Sequence, residues 1–420
     1  MIDKRSLSLH SYIWIKRNNA METKTNVTTA AGYRYISRFQ DGYASVRNDK
    51  GHWGLIDHTG KEVVPCKYPS VDYLGGGLIL VCEDLKMFYK LDCDTLDVSS
   101  YRVLNLEGST VISNDDGPIS YAKEIDAFIV CKRGKYGVID REGVTLVPYE
   151  YDHISDFREG LAEVEKDGRW GFIDAHGTVI VPIEYDEVGN FSEGVAVVMR
   201  GDLCGYVDTQ GKECLPLQYR FVGWMHPGNL ALASIHDGER ELFGLIDRAG
   251  NEVLPMAYEY VDLSFDGTMY CYRGVGEQVT HFVNRKSGTS FVIPGQHVHV
   301  RFPVDDTPCF GYSLGTRWGL MSREGKVILR PKYEGMPLGA RDGHFVVGNR
   351  DHTRRRKSGR FYYNWGMINA KGREVVPLMY DDMACSGEPL AVACYRGHYC
   401  VIDKENRLVV ANGVSRGAVE

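Results

Sequence analysis

The chain has 420 residues, 43% of them hydrophobic and 25% charged, with a formal charge of −7. This is ordinary globular composition, and the mildly acidic balance excludes a surface built throughout for nucleic acid or anionic membrane, though not a local basic patch. The eleven cysteines include no Cys-x-x-Cys pair and sit among apolar residues of predicted strands, as reduced buried thiols do and disulfide frameworks do not.

In chain order, "MIDKRSLSLHSYIWIKRNNA" has charges on both sides of a short, polar-broken stretch and lacks a small-residue cleavage site. It makes a poor signal peptide. Residues 1–37 are expected to be an N-terminal leader without fixed structure, with Met21 as an alternative start. No apolar run approaches the roughly 20 residues that span a bilayer, so no membrane association is expected and the cytoplasm is the default location.

From residue 38 to residue 411 the chain repeats itself. "HWGLIDHTGKEVVPCKY" begins at His52, "KYGVIDREGVTLVPYEY" at Lys135, "RWGFIDAHGTVIVPIEY" at Arg169 and "LCGYVDTQGKECLPLQY" at Leu203. "LFGLIDRAGNEVLPMAY" follows at Leu242, "RWGLMSREGKVILRPKY" at Arg317 and "NWGMINAKGREVVPLMY" at Asn364, before a truncated "HYCVIDKENRLVV" at His398. Two gaps fit degenerate units, near 73–120 ("MFYKLDCDTLDVSSY") and 262–300 ("THFVNRKSGTSFVIP"), which brings the array to about ten units. Residues 412–420 are a tail.

Each unit predicts three short strands. "GLAEVEKDG" alternates apolar and polar residues, as a half-buried strand does; "WGFID" and "TVIVP" follow, separated by turns. No helical spacing is sustained, and Gly and Pro interrupt the chain every ten residues or so, as in an all-β protein.

Four-residue turns are bracketed by Asp57 and Gly60, by Asp140 and Gly143, by Asp174 and Gly177, by Asp208 and Gly211, and by Asp247 and Gly250. The Asp can accept a local backbone N–H and the Gly tolerates positive φ. Asn369 and Ser322 replace Asp in two units and can make the same bond, which points to a turn and away from a metal ligand or general base. Gly54, Gly137, Gly171, Gly205, Gly244, Gly319 and Gly366 lie inside a strand, where Gly normally weakens pairing; a close neighbouring backbone or ring would explain them. The prolines, Pro182 and its counterparts, belong on edge strands or bulges. The aromatics Trp53, Tyr136, Trp170, Phe243, Trp318, Trp365 and Tyr399, with Tyr185 and its counterparts, are expected to stack between repeats; Cys204 fills one such slot as a small hydrophobe would.

The recurring "WGfIDxxGxxvvPxxYd" pattern resembles the WG-repeat (KWG-repeat) family, widespread in bacterial proteins. The match covers nearly the whole chain after the leader and departs at Cys204, at Cys400 and in the two degenerate units. The resemblance implies a β-rich repeat array used for interactions, with no catalytic residues to transfer. Two closures compete: an open, twisted, solenoid-like array of three-stranded antiparallel meanders, and a β-propeller. The open array is the expectation taken forward.

Insertions into a repeat array map to loops on one face, often the binding face. "NRDHTRRRKSGRFYYNWG" is the clearest, with Arg350, Arg354, Arg355, Arg356, Lys357 and Arg360 beside Tyr362 and Tyr363. Arginine forks suit carboxylate or phosphate; a solvated hairpin tip is the competing reading. "QHVHVRF" sets His297 and His299 on one face of a presumed strand, but a zinc site needs a third ligand, so no metal is expected. The acidic pairs Asp115-Asp116, Asp305-Asp306 and Asp381-Asp382 fall in presumed loops, where solvation explains them. No catalytic or phosphate-loop motif occurs, and no cofactor is expected.

The function expected is therefore non-catalytic: a scaffold that binds a protein partner through loops of the array. Nucleic acid is expected only at the basic loop. A carbohydrate or cell-surface module is the alternative, and a hydrolase with a site across several repeats is the third.

Overall fold

The computed structural model describes residues 33–411 apart from 85–86, 90–94, 98, 296–297, 337–341, 356–360, 386–389, 396–397, 404–405 and 407. The expected tail, residues 1–32 of the leader, Met21, His297, Arg356, Lys357 and Arg360 lie outside the described residues. Every regular element among those described is a strand, and no helix there is long and apolar enough to cross a membrane. The protein is an all-β array of small antiparallel sheets.

The repeat around Trp170 shows the plan. His153–Ile154, Leu161–Lys166, Arg169–Asp174 and Val179–Tyr185 pair antiparallel in chain order. The three expected strands are all there, and a fourth, of two residues, precedes them. It follows the Tyr-Asp that ends the previous repeat and is too short to display any alternation, so most units add a fourth strand to the three expected, while the sheet of the Trp365 repeat keeps three. Tyr35–Ile36 is the same element of the first repeat, so the array begins inside the supposed leader.

Gly171 has an ordinary φ, and space is what requires it. A Cβ there would lie 2.6 Å from the Val181 oxygen, 2.8 Å from the Pro182 oxygen and 2.9 Å from the Ile183 Cα, all backbone. The crowding comes from a bulge: Trp170 pairs with Tyr185 while Phe172 pairs with Val181, so Pro182 sits where the ladder is interrupted, on the last strand of its sheet. There the missing N–H costs nothing.

The following turn is built by its side chain. Asp174 Oδ1 accepts N–H bonds from His176 (2.9 Å) and Thr178 (2.8 Å), and Gly177 has φ +81°. The same turn recurs after Asp57, Asp140, Asp208 and Asp247. There Gly60, Gly143, Gly211 and Gly250 have φ of +86°, +84°, +80° and +83°, and each donates its N–H to the carbonyl of the turn's Asp at 2.9–3.1 Å. Asn369 caps its own turn through Lys371 (3.0 Å) and Arg373 (3.1 Å), and Ser322 Oγ through Glu324 and Lys326 (both 3.2 Å). One local geometry thus accepts three side chains.

The chain forms two compact units, one containing residues 82–259 and the other residues 25–81 and 260–420. In the first, successive sheets stack face on face. Ile129, Val138, Val147 and Tyr151 pack on Ile154, Ala162, Val164 and Ile173 of the next sheet, whose other face, with Leu161, Phe172 and Tyr185, packs on Val188, Phe191, Ala196 and Val198. Each such Val, Ile, Leu or Phe side chain stabilises by about 1.5–3 kcal/mol when fully buried. Cys204 is buried in the next of these cores, and none of the cysteines whose side chains are described is in a disulfide.

In the second unit the first repeat packs on the last: Ile36, Ala44, Val46 and Ile56 share a core with Val392 and Val401. Ring contacts repeat the arrangement seen between consecutive sheets elsewhere. Tyr136 meets His153 at 5.9 Å and His153 meets Trp170 at 5.6 Å; likewise Tyr399 meets Tyr35 at 5.9 Å and Tyr35 meets Trp53 at 5.4 Å.

These contacts revise the aromatic ladder. Trp170 faces Tyr185 within its own sheet, and the link to the neighbouring repeat runs through the ring on the two-residue strand. Tyr151, Tyr185, Tyr219, Tyr333 and Tyr380 are buried, whereas the tryptophans of the repeat are only half-buried.

Candidate binding surface

The insertion extends a hairpin the repeat already has. In the Trp170 repeat, strand pairing ends one residue before the tryptophan, at Lys166 opposite Arg169. In the Trp365 repeat, His344–Arg355 and Phe361–Asn369 stay paired beyond Gly348 opposite Trp365, through Arg350 opposite Tyr363 and Asp351 opposite Tyr362, to Arg355 opposite Phe361. The result is a two-stranded ribbon growing out of an intact Trp-Gly frame. A bulge between Asp351 and Arg355 marks where its register shifts; Asp351 Oδ1 accepts the Thr353 N–H there at 2.8 Å.

Small residues let the base of the ribbon fit. A Cβ on Gly348 would lie 2.5 Å from the Trp365 ring, and one on Gly335 2.8 Å from it. Tyr363 stacks on Trp365 with centroids 5.1 Å apart and planes at 17°. The Arg350 N–H donates to a Glu334 carboxylate oxygen at 2.7 Å, and its Nε approaches the Tyr363 hydroxyl at 3.4 Å. Tyr362 is also half-buried. Arg354 and Arg355 lie in the strand, while Arg356, Lys357 and Arg360 fall outside the described residues.

The other candidates separate. His299 is exposed and precedes the Val300–Arg301 strand, so the presumed strand does not reach it. No group of metal-ligating side chains occurs among the described residues. Asp305 accepts the Thr307 N–H at 3.0 Å, Asp115 is ion-paired with Arg102 at 2.8 Å, and Asp382 accepts the Met383 N–H at 2.9 Å. Two of these three carboxylates cap nearby backbone. Asp382 also belongs to a strand and not to the presumed loop.

The sequence reading missed a polar cluster in the same unit. Arg323 Nη1 donates to Asp266 at 2.8 Å and to the Thr268 hydroxyl at 2.7 Å, and its Nε donates to the Thr307 carbonyl at 3.2 Å. Burial alone would raise the Asp266 carboxyl, but bonds from Ser264, Arg323 and Thr268 bring it down to about 2. Arg323 is a turn residue of a regular repeat and Asp266 lies in a degenerate one, so spacing gave no signal that they meet.

Six segments of the chain match the family described as WG containing repeat: residues 53–86, 136–170, 170–204, 243–267, 318–338 and 365–399. With the repeated Trp-Gly geometry above, this places the chain in the WG-repeat family. No curated protein matches the sequence. Among solved structures, a eukaryotic initiation factor superposes with TM-score 0.44 at 12% identity, over 74% of this chain and 88% of that one. The dihydro-heme d1 dehydrogenase NirN in complex with DHE gives TM-score 0.36 at 11% identity, over 90% and 78%. Apo AztD from Citrobacter koseri gives 0.31 at 13%, over 66% and 90%. At these TM-scores none of the three defines the chemistry of this chain.

Proposed function

We propose that the protein is a non-catalytic scaffold, working in the cytoplasm, that binds a protein partner through the ribbon of residues 344–369. The observation that carries this is the ribbon itself. It adds paired strands, exposed Arg350 and a run of basic residues to one repeat while leaving that repeat's Trp-Gly frame unchanged. Loops on a rigid frame are where recognition concentrates. Buried thiols outside any disulfide, such as those of Cys204, Cys271, Cys309 and Cys400, suit a reducing compartment.

A carbohydrate platform would need open tryptophan faces. Instead Arg47 lies over Trp53 at 5.8 Å and Arg301 over Trp318 at 5.3 Å.

The test is affinity capture from host lysate after nuclease treatment, comparing the native chain with one in which Arg354, Arg355, Arg356 and Lys357 are changed to Glu. A protein lost only from the variant supports the reading; the same proteins captured by both would refute it.

A further inference from the structure

The two units differ sharply in charge. Residues 82–259 contain 33 acidic and 16 basic side chains, whereas residues 25–81 and 260–420 contain 21 acidic and 28 basic. The difference reaches equivalent positions of the repeat. At the residue before the repeat tyrosine the first unit has Glu150, Glu184, Gln218 and Ala257, and the two glutamates each pair with a base: Lys166 at 2.9 Å and Arg200 at 2.7 Å. In the second unit that position holds Lys67, Lys332 and Met379, and no acidic residue.

Around Lys332 the reversal spreads into a strip. Arg301 lies over the Trp318 ring at 5.3 Å, Trp318 pairs across strands with Tyr333, and Lys332 lies over Tyr333 at 4.8 Å. Arg317, beside Trp318, is the counterpart of Arg169, which pairs with Asp186. The counterpart of Asp186 is Glu334, whose carboxylate takes the Arg350 N–H. Arg301, Arg317 and Lys332 are exposed, and none has an ion pair among the described residues. Glu334 and Gly335 join the strip to the ribbon, because Glu334 bonds Asn349 and Arg350 and Gly335 lies against Trp365.

We propose that this strip, with Arg350 at the base of the ribbon beside it, binds an acidic segment of a partner protein, rich in Asp and Glu. The proposal rests on the scaffold reading and adds the partner's chemistry and a second contact surface. Guanidinium and ammonium groups already lie over Trp318 and Tyr333, and Tyr363 already stacks on Trp365. The rings therefore hold cations in place and offer little face for stacking a base, which sequence-tolerant binding of single strands requires. A short acidic segment needs no stacking face.

The experiment uses the full chain, a short fluorescein-labelled Asp/Glu-rich peptide and a single-stranded DNA of similar charge, with anisotropy followed as NaCl is raised. Changing Arg301, Arg317 and Lys332 to Glu should weaken peptide binding about tenfold or more, and added salt should weaken it for the native chain. The corresponding Gln variant should show a smaller loss and serves as the reading should the Glu variant melt early. Unchanged peptide affinity in the strip variants, or DNA binding more tightly than peptide, would overturn the proposal. Loss of binding on reversing Arg354 to Lys357 alone would leave the ribbon as the site and remove the strip. Loss on reversing the strip alone would keep the strip and remove the ribbon.

Discussion

The Trp170 and Trp365 repeats share one frame and differ in what they carry on it. In both, tryptophan pairs with the tyrosine that ends the next strand, and the following glycine meets the backbone beside a proline: Val181 and Pro182 in one, Val376 and Pro377 in the other. The Trp170 repeat closes its hairpin one residue before the tryptophan and keeps a two-residue leading strand. The Trp365 repeat runs its hairpin on, and only the Gly335–Gly348 bridge stands in for the leading strand. The bulge and its glycine are thus the fixed part, and the hairpin end is where the repeat admits new chemistry.

The frame must also hold where the first repeat meets the last. Ile36 and Ile154 occupy the same position on their leading strands, each nearly inaccessible at 2% and 3%. Changing either to Asp places an unpaired carboxylate in an aliphatic core, among the costliest single substitutions. Both variants should lose several kcal/mol in denaturant unfolding, about equally. If Ile36→Asp melts like the native chain while Ile154→Asp does not, the first and last repeats do not pack in solution as consecutive repeats do.

Glycines separate frame from ornament next. Gly171→Ala drives a methyl into the backbone of three successive residues, which cannot yield without opening the bulge, so a loss of about 3 kcal/mol or more is expected. For Gly348→Ala the three nearest atoms all belong to the Trp365 ring, which can tilt, at about 1–2 kcal/mol. Thermal melts of the two variants give the order; equal losses would mean that the ribbon is as rigidly built as the bulge.

Much of this architecture was legible because it repeats. Asp174, Asn369 and Ser322 exchange at one position, and only a local turn accepts all three. Gly171 announced a close neighbour because a strand glycine needs a reason. The leading strand stayed hidden because two residues, such as His153 and Ile154, show no period. The packing of Ile36 beside Val392 and Val401 depends on the path of the whole unit, which no single window of sequence contains. The candidate surface was half-legible. The Arg run stood out by composition, but Arg301, Arg317 and Lys332 lie apart in sequence and are gathered only by strand pairing.

The smallest expected effect concerns acid, and it sets the singular Asp266 cluster against the repeated turns. Asp266 has a folded value near 2, below its ordinary value of about 4 in an unfolded chain. A depressed carboxyl contributes stability that is fully present above the unfolded value and is lost as pH falls through the folded one. The window is therefore about pH 4 down to pH 2. Asp57 is also held below its usual range, first by the Thr59 hydroxyl bond, but it is only half-buried and its share is small. Asp266→Asn should flatten the acid limb of the stability profile visibly. It also leaves Arg323, whose side chain is only 14% exposed, without its charge partner, so the variant should be less stable at neutral pH as well. Asp57→Asn should change little at either end, since Asn369 already fills that turn position in another repeat. Unfolding curves from pH 6 to pH 2 separate the two, and identical acid limbs for native and Asp266→Asn chains would show that the Arg323 pair does not form in solution.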